Sequence, residues 1–237
     1  MKDKIILAVS AHEDDLEFGC SGTISKWVKE GASAYYLILT DGSRGSDIKG
    51  TKKDDLIKTR AKEEENAAKI LGVKEVFFGN FKDGELKDSS EVREKIVRTI
   101  RTIKPDIVIT MDPEILYNAE FGYINHPDHI EAGRATIFSV FPYSRNLMSF
   151  TTLLKEGLEP HKVKDLYLIT FDRKKLNTFI DISETIELKT EALKQHKSQY
   201  DNFKELKSNI IMMSKMIGKE SKKYKYAEAF IKIQIRD

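Results

Sequence analysis

Two short clusters hold residue types that can do chemistry together. Ala11-His12-Glu13-Asp14-Asp15 sets an imidazole beside a run of carboxylates, and Asn125-His126-Pro127-Asp128-His129 sets two imidazoles around another carboxylate. Two imidazoles and a carboxylate make a reasonable zinc donor set with a position left open for water. An ion held that way brings the pKa of a coordinated water to about 7 and polarises a carbonyl oxygen. A spare carboxylate alongside is a candidate general base, and a spare histidine a candidate oxyanion donor. The bland readings are that Asp14-Asp15 caps a helix and that Pro127-Asp128 opens one. Together, however, the clusters hold three of the five histidines, which favours a site. His161 and His196 lack such neighbours in sequence, and His196 reads as a helix residue held by hydrogen bonds. Spacing alone leaves zinc, manganese and iron open.

The two clusters need a scaffold that brings them to one place. Apolar runs of strand length recur at residues 5–9, 35–39, 76–78 and 107–111. Between them lie charged stretches with helical spacing: Ile24, Trp27 and Val28, then Leu56 to Leu71, then Val92, Ile96, Val97, Ile100 and Ile103, stopped before Pro105. This alternation predicts an α/β fold, a mostly parallel sheet with helices on both faces. Further strands are expected at 166–170, 179–182 and near 230–235, with Ser183 capping a helix from 184 to about 199. No repeat or linker interrupts the chain, so residues 1–237 read as one domain. In such sheets ligands bind outside the carboxyl ends of the strands. The first cluster follows the first strand and the second follows the 107–111 strand, so parallel strands put both on one rim.

Composition narrows the classes. The 237 residues are 40% hydrophobic and 33% charged, with a net charge of +2. That balance gives no reason to expect nucleic acid or an anionic membrane as partner, and the basic run at 219–225 reads as solvated surface. A single cysteine, Cys20, excludes an internal disulfide and a Cys-rich zinc site. Residues 1–10 read as a buried strand rather than a signal peptide, and no apolar run approaches a membrane span, so a cytoplasmic location is expected.

With these residues in view, a family resemblance emerges. The stretch from Ala11 to Thr23, AHEDDLEFGCSGT, resembles the AHPDD(x)E(x)GCGGT signature of the LmbE-like, or PIG-L, deacetylases, and His126-Pro127-Asp128-His129 resembles that family's HPDH motif. Agreement extends to Thr40-Asp41-Gly42, to Arg60 and Glu63, to Asp83-Gly84, to Lys189, Ala192-Leu193 and His196–Gln199, and to Ala227–Phe230. The resemblance implies a Rossmann-like three-layer α/β sandwich. It also implies a zinc ion, with Fe2+ or another divalent metal as alternatives, bound by His12, Asp15 and His129. Asp14 would be the general base, His126 would stabilise the oxyanion or protonate the leaving amine, and Asp128 would orient and charge-tune His126. Arg60, Asp83 and Tyr123 are the expected substrate-binding residues. The implied reaction is hydrolysis of an N-acetyl group from an N-acetylglucosamine-like sugar, with no nucleic-acid partner and the oligomeric state, homo-oligomer included, left open.

One departure lies inside the first motif, where Glu13 stands in place of the family's proline. Glutamate loses the rigidity of proline and adds a third carboxylate, which is expected to point away from the metal. Two rival functions stay open: an amidase acting on a thiol-sugar conjugate, and a non-catalytic Rossmann-like binding module, the latter weakened by the lack of G-x-G-x-x-G after the first strand. Specificity is expected in the loops 43–54, 113–125 and 141–159.

Overall fold

The computed structural model describes residues 1–120 and 122–236. Strands β1 (Ile5–Ser10), β2 (Ser33–Thr40), β3 (Glu75–Phe81), β4 (Ile107–Met111), β7 (Asp165–Ile169), β8 (Thr178–Asp181) and β9 (Ala227–Gln234) form one sheet in the order β3-β2-β1-β4-β7-β9-β8. The first five of these are mutually parallel, and β9 runs antiparallel between β7 and β8. A two-stranded hairpin, β5 (Tyr117–Asn118) and β6 (Tyr123–Ile124), stands apart.

The central strand shows why the alternation reads as a parallel sheet. Every residue from Ile6 to Ser10 is fully buried, because both faces of β1 are covered. Ile6 and Ala8 pack under α1 (Asp15–Gly19), α2 (Ser21–Lys29) and α3 (Lys53–Leu71), with Leu16, Ile24, Trp27 and Leu71. Leu7 and Val9 pack on the other face under α4 (Ser90–Ile103) and α5 (Pro127–Phe138), with Ile96, Ile100, Ala132 and Ala135. A strand covered on two faces needs a continuous apolar run, as β1, β2 and β4 have.

Helix ends follow local chemistry. Ser89 caps α4 by accepting from Val92 N at 3.3 Å; Gly72, at φ 78°, closes α3 in the left-handed conformation that glycine adopts at no cost. A short helix, α6 (Thr151–Lys155), precedes β7. The C-terminal part departs from expectation. Ser183 does not cap a helix: its hydroxyl donates to Asp181 Oδ1 at 2.6 Å, and α7 runs only Ile186–Leu193. The chain then turns through His196 and Gln199 before α8 (Phe203–Glu220), a helix that the apolar pattern does not predict. Asn202 caps it by accepting from Glu205 N, and Ile210 packs with Ile182, Ile186 and Leu193. Among the described residues no helix is long and apolar enough to cross a membrane.

Candidate metal centre

The strand order reverses at β1: β2 leaves on one side and β4 lies on the other. The loops beyond the carboxyl ends of β1 and β4 therefore flank a crevice, the usual ligand position in such sheets. His12 and Asp15 arrive from the first loop. His126 and His129 arrive from the second, at the N-terminus of α5.

Two ring nitrogens and the two oxygens of the Asp15 carboxylate converge there, Oδ2 also accepting from His12 N at 2.8 Å. His129 Nε2 lies 3.0 Å from Asp15 Oδ1, His12 Nδ1 lies 3.4 Å from His129 Nε2, and His12 Nδ1 lies 3.7 Å from Asp15 Oδ2. Donors about 2.0–2.1 Å from a tetrahedral ion stand about 3.4 Å apart, so these residues fit a small divalent ion. Their outer contacts agree. The Asn125 amide nitrogen donates to Ile115 O at 2.8 Å, which turns its oxygen toward His129 Nδ1 at 3.1 Å. His129 Nδ1–H then donates, and the Nε2 lone pair is free. His12 Nε2 lies 3.1 Å from Asp83 Oδ1 and 3.3 Å from Asp128 Oδ2, which leaves its Nδ1 facing the cluster. Imidazoles whose far N–H meets an acceptor are the usual outer arrangement of metal-ligating histidines.

The electrostatics also call for a cation. Burial would lower the His12 pKa, but Asp128, Asp15 and Asp83 push it up to about 12. Burial would raise Asp15, yet His129 and His12 hold its carboxylate below the usual range. A pocket that holds protons this firmly is one where positive charge is strongly stabilised.

Asp14 and His126 flank the donor set. Asp14 takes the left-handed backbone conformation, φ 77° and ψ −23°, unusual for a residue with a side chain. It stands at the N-cap position of α1, but its side chain makes no capping bond. Instead Tyr200 donates to Asp14 Oδ2 at 2.7 Å, and Glu64 Oε2 accepts from Asp14 N at 3.2 Å. Burial, then the neighbouring charge of Asp15, raises the Asp14 pKa to about 6. His126 is the N-cap of α5, its Nδ1 accepting from Asp128 N at 3.2 Å. That donor occupies Nδ1 and leaves the proton of the neutral ring on Nε2. Burial, then the charge on His12, lowers the His126 pKa, so the ring is neutral near pH 7.

Asp128 departs from the expected contact. Its carboxylate accepts from Gly84 N at 2.7 Å and Leu86 N at 3.2 Å, and faces His12. It meets His126 through its backbone N–H, although its negative charge does act to raise the His126 pKa. The residues expected to bind substrate divide similarly. Arg60 is only 4% exposed and donates to Gly42 O and Glu13 O, each at 3.1 Å, so it braces the loop from within. Asp83 is engaged by His12 and by Arg44 N at 2.8 Å. Tyr123 is half-buried, donates to Asn125 Oδ1 at 2.6 Å and packs against Phe171.

Glu13 turns toward Arg60, its Oε2 lying 3.2 Å from Arg60 Nε. Burial raises its pKa, and the guanidinium works against that. Removing one partner of a buried pair strands a charge. Arg60→Ala is therefore expected to lower unfolding free energy by about 3–5 kcal/mol in urea titrations; a loss below about 1 kcal/mol, the worth of an exposed pair, would show that the pair contributes little.

Tyr200 carries no signal in the sequence, since nothing local ties it to a residue 186 positions away. Its hydroxyl stabilises the Asp14 carboxylate, and removing that bond favours the protonated form. Tyr200→Phe is expected to move the acid limb of the kcat/KM profile upward by about one unit, and an unmoved limb would separate Tyr200 from the base.

Comparison with known proteins finds relatives over most of the chain. The sequence model of the family described as PIG-L: GlcNAc-PI de-N-acetylase matches residues 7–139. The chain is 36% identical over 197 residues to the diacetylchitobiose deacetylase of Thermococcus kodakarensis, covering 83% of this chain and 70% of that protein. The crystallised N,N'-diacetylchitobiose deacetylase from Pyrococcus horikoshii superposes with a TM-score of 0.88 at 31% identity, over 98% of this chain and 84% of that one. A 4-carboxy-2-hydroxymuconate hydratase from Pseudomonas putida superposes at 0.81 with 19% identity, over 99% and 98%. That last likeness is one of fold alone, and one fold hosts several chemistries.

Proposed function

We propose the following division of labour in a chain that belongs to the PIG-L family of N-acetylglucosamine-type deacetylases: His12, Asp15 and His129 hold a divalent ion, Asp14 moves the protons, and His126 receives charge on the acetamide oxygen. The observation that carries this reading is the pair of imidazole nitrogens 3.4 Å apart, each facing one oxygen of the Asp15 carboxylate, with both far nitrogens against acceptors. A two-histidine, one-carboxylate set suits zinc and also iron, and the ion when bound would supply Lewis acidity to the carbonyl and the attacking water.

The chain's own residues then do the rest. Tyr200 holds Asp14 Oδ2, which assigns Oδ1 to take a proton from water as the new C–O bond forms. A carboxyl with a pKa near 6 is well matched to that task near neutral pH. His126, neutral with hydrogen on Nε2, donates to the developing oxyanion. It has no spare proton to give away cheaply, so protonation of the leaving nitrogen falls to Asp14 as the C–N bond breaks. Acetate and a free amine result. Asp83 and Asp128 orient His12 rather than meeting the sugar. The site draws on segments from His12 to Tyr200, so residues 1–237 act as one catalytic unit.

The two relatives above 30% identity named here are deacetylases of an acetylated sugar, and neither the thiol-sugar amidase nor the non-catalytic module is favoured beside them. The substrate class proposed is an N-acetylglucosamine saccharide such as diacetylchitobiose. Incubating zinc-loaded protein with N-acetylglucosamine and its dimer should release acetate and free amine in equal amounts. Release of neither, after loading with zinc, iron or manganese in turn, would overturn the reading. His126→Ala is expected to lower kcat by about 10²–10³-fold with metal content unchanged; a kcat within a factor of a few would remove His126 from the oxyanion role.

A further inference from the structure

We propose that Glu17, Glu64 and His196 form a second, fully enclosed site for a divalent first-row metal ion, behind the catalytic base. The residues come from α1, α3 and the turn after α7, and all three are 0% exposed. His196 Nε2 lies 3.6 Å from Glu17 Oε2 and 3.9 Å from Glu64 Oε2, and one donor atom from each residue falls within 4.8 Å of the others. These separations are too long for hydrogen bonds. Both carboxylate oxygens of Glu17, Oε1 of Glu64 and both ring nitrogens of His196 lack a hydrogen-bond partner. Buried polar atoms are nearly always paired, so five orphans in one cluster call for an occupant.

Spacing decides which occupant. An ion about 2.1 Å from each donor places the donors about 3.4–3.6 Å apart. A water about 2.8 Å from each places them about 4.6 Å apart. The two His196 separations lie nearer the ion. Charge agrees: Glu13 has Arg60, Asp15 has two imidazoles, and Glu63 receives Ser198 N at 2.9 Å and Ser198 Oγ at 2.6 Å. Glu17 and Glu64 share a single imidazole. Two carboxylates and a neutral imidazole balance a divalent charge, and imidazole with carboxylate is the donor set of zinc and its neighbours. Glu64 Oε2 also grips Asp14 N, so an ion here would fasten the left-handed turn that presents the base.

The direct test is anomalous diffraction at the zinc edge, from crystals of wild-type protein refolded in the presence of zinc. Two peaks are expected, one among His12, Asp15 and His129 and one among Glu17, Glu64 and His196. No peak at the second position overturns the proposal and leaves protons as the occupants. A missing peak at the first position counts against the functional reading alone. In solution, wild type should retain two zinc ions per chain after dialysis, and Glu64→Gln one; a variant that still retains two would overturn the site. Should Glu64→Gln fail to fold, the wild-type diffraction measurement decides by itself.

Discussion

Asp14→Asn is expected to lower kcat by about 10²–10⁴-fold, the usual worth of a positioned general base, while metal content stays at the wild-type level. The two effects separate because the proposed ligands are His12, Asp15 and His129, whereas Asp14 Oδ2 is turned to Tyr200. Asparagine keeps the shape and still accepts the Tyr200 hydroxyl, yet it cannot take a proton. The pH profile sharpens the test. The Asp14 pKa is raised to about 6, so the base is protonated and idle below that value and activity climbs as pH rises through it. A divalent ion on Asp15 offsets the repulsion that helps raise Asp14, so the loaded enzyme should show its acid limb at or below pH 6. That limb should vanish from the residual activity of the variant. Stability should move the other way. A carboxyl whose folded pKa is raised favours folding while protonated and loses that contribution as pH rises through about 6. At pH 7 the metal-free asparagine variant should melt above metal-free wild type. Near-normal turnover in Asp14→Asn would mean that another group takes the proton.

Much of this arrangement is legible in the sequence, for a specific reason. His12, Asp14 and Asp15 lie within four residues, and His126 and His129 lie on one turn of α5. Chemistry packed that tightly in sequence survives any reading of the fold. The alternation of apolar runs with helical stretches then implies a parallel sheet and one rim for both clusters, as observed in the pairing of β1 with β4. What the sequence hides is whatever depends on distant segments meeting. His12 finds Asp83, 71 residues on, and Asp14 finds Tyr200. Arg60 is expected from the resemblance to bind substrate, and only the packing of α3 against the first loop shows it buried on Glu13. His196 reads as an ordinary helix residue held by hydrogen bonds. It sits instead in a turn beyond α7 with neither ring nitrogen bonded. Helix α8 gives a weak signal because its buried side is narrow, holding only Ile210, Ser214 and Gly218, with four lysines among its other positions.

The exchange of proline for Glu13 gains meaning from the same packing. A proline would stiffen this loop through its fixed φ. Here a buried guanidinium ties both the carbonyl and the carboxylate of Glu13 to Gly42, in the neighbouring loop after β2. An ion pair has replaced a ring as the device that holds His12 and Asp14 in register. Such a device is sensitive to substitution at Arg60 in a way that a proline loop is not.

His129→Ala should remove the metal itself, and with it all but a trace of activity. Loss of a residue that merely orients a ligand costs about 10–100-fold in metal affinity, and loss of a ligand should exceed the upper end of that range. His129 Nε2 lies 3.0 Å from Asp15 Oδ1, and its Nδ1–H is held by Asn125. His126 is the neighbouring imidazole, grouped with His12 and His129, but it presents Nδ1 to Asp128 N as a helix cap. The comparison variant is Asn125→Ala, which leaves the ring in place but unoriented. It should weaken zinc binding within the 10–100-fold range and recover activity when zinc is raised, whereas His129→Ala should not recover. Competition with a chelator of known affinity reads both constants, and folding is checked independently by circular dichroism. If His129→Ala held zinc as tightly as wild type, the ion would have to sit elsewhere, and the roles of Asp14 and His126 would lose their common centre.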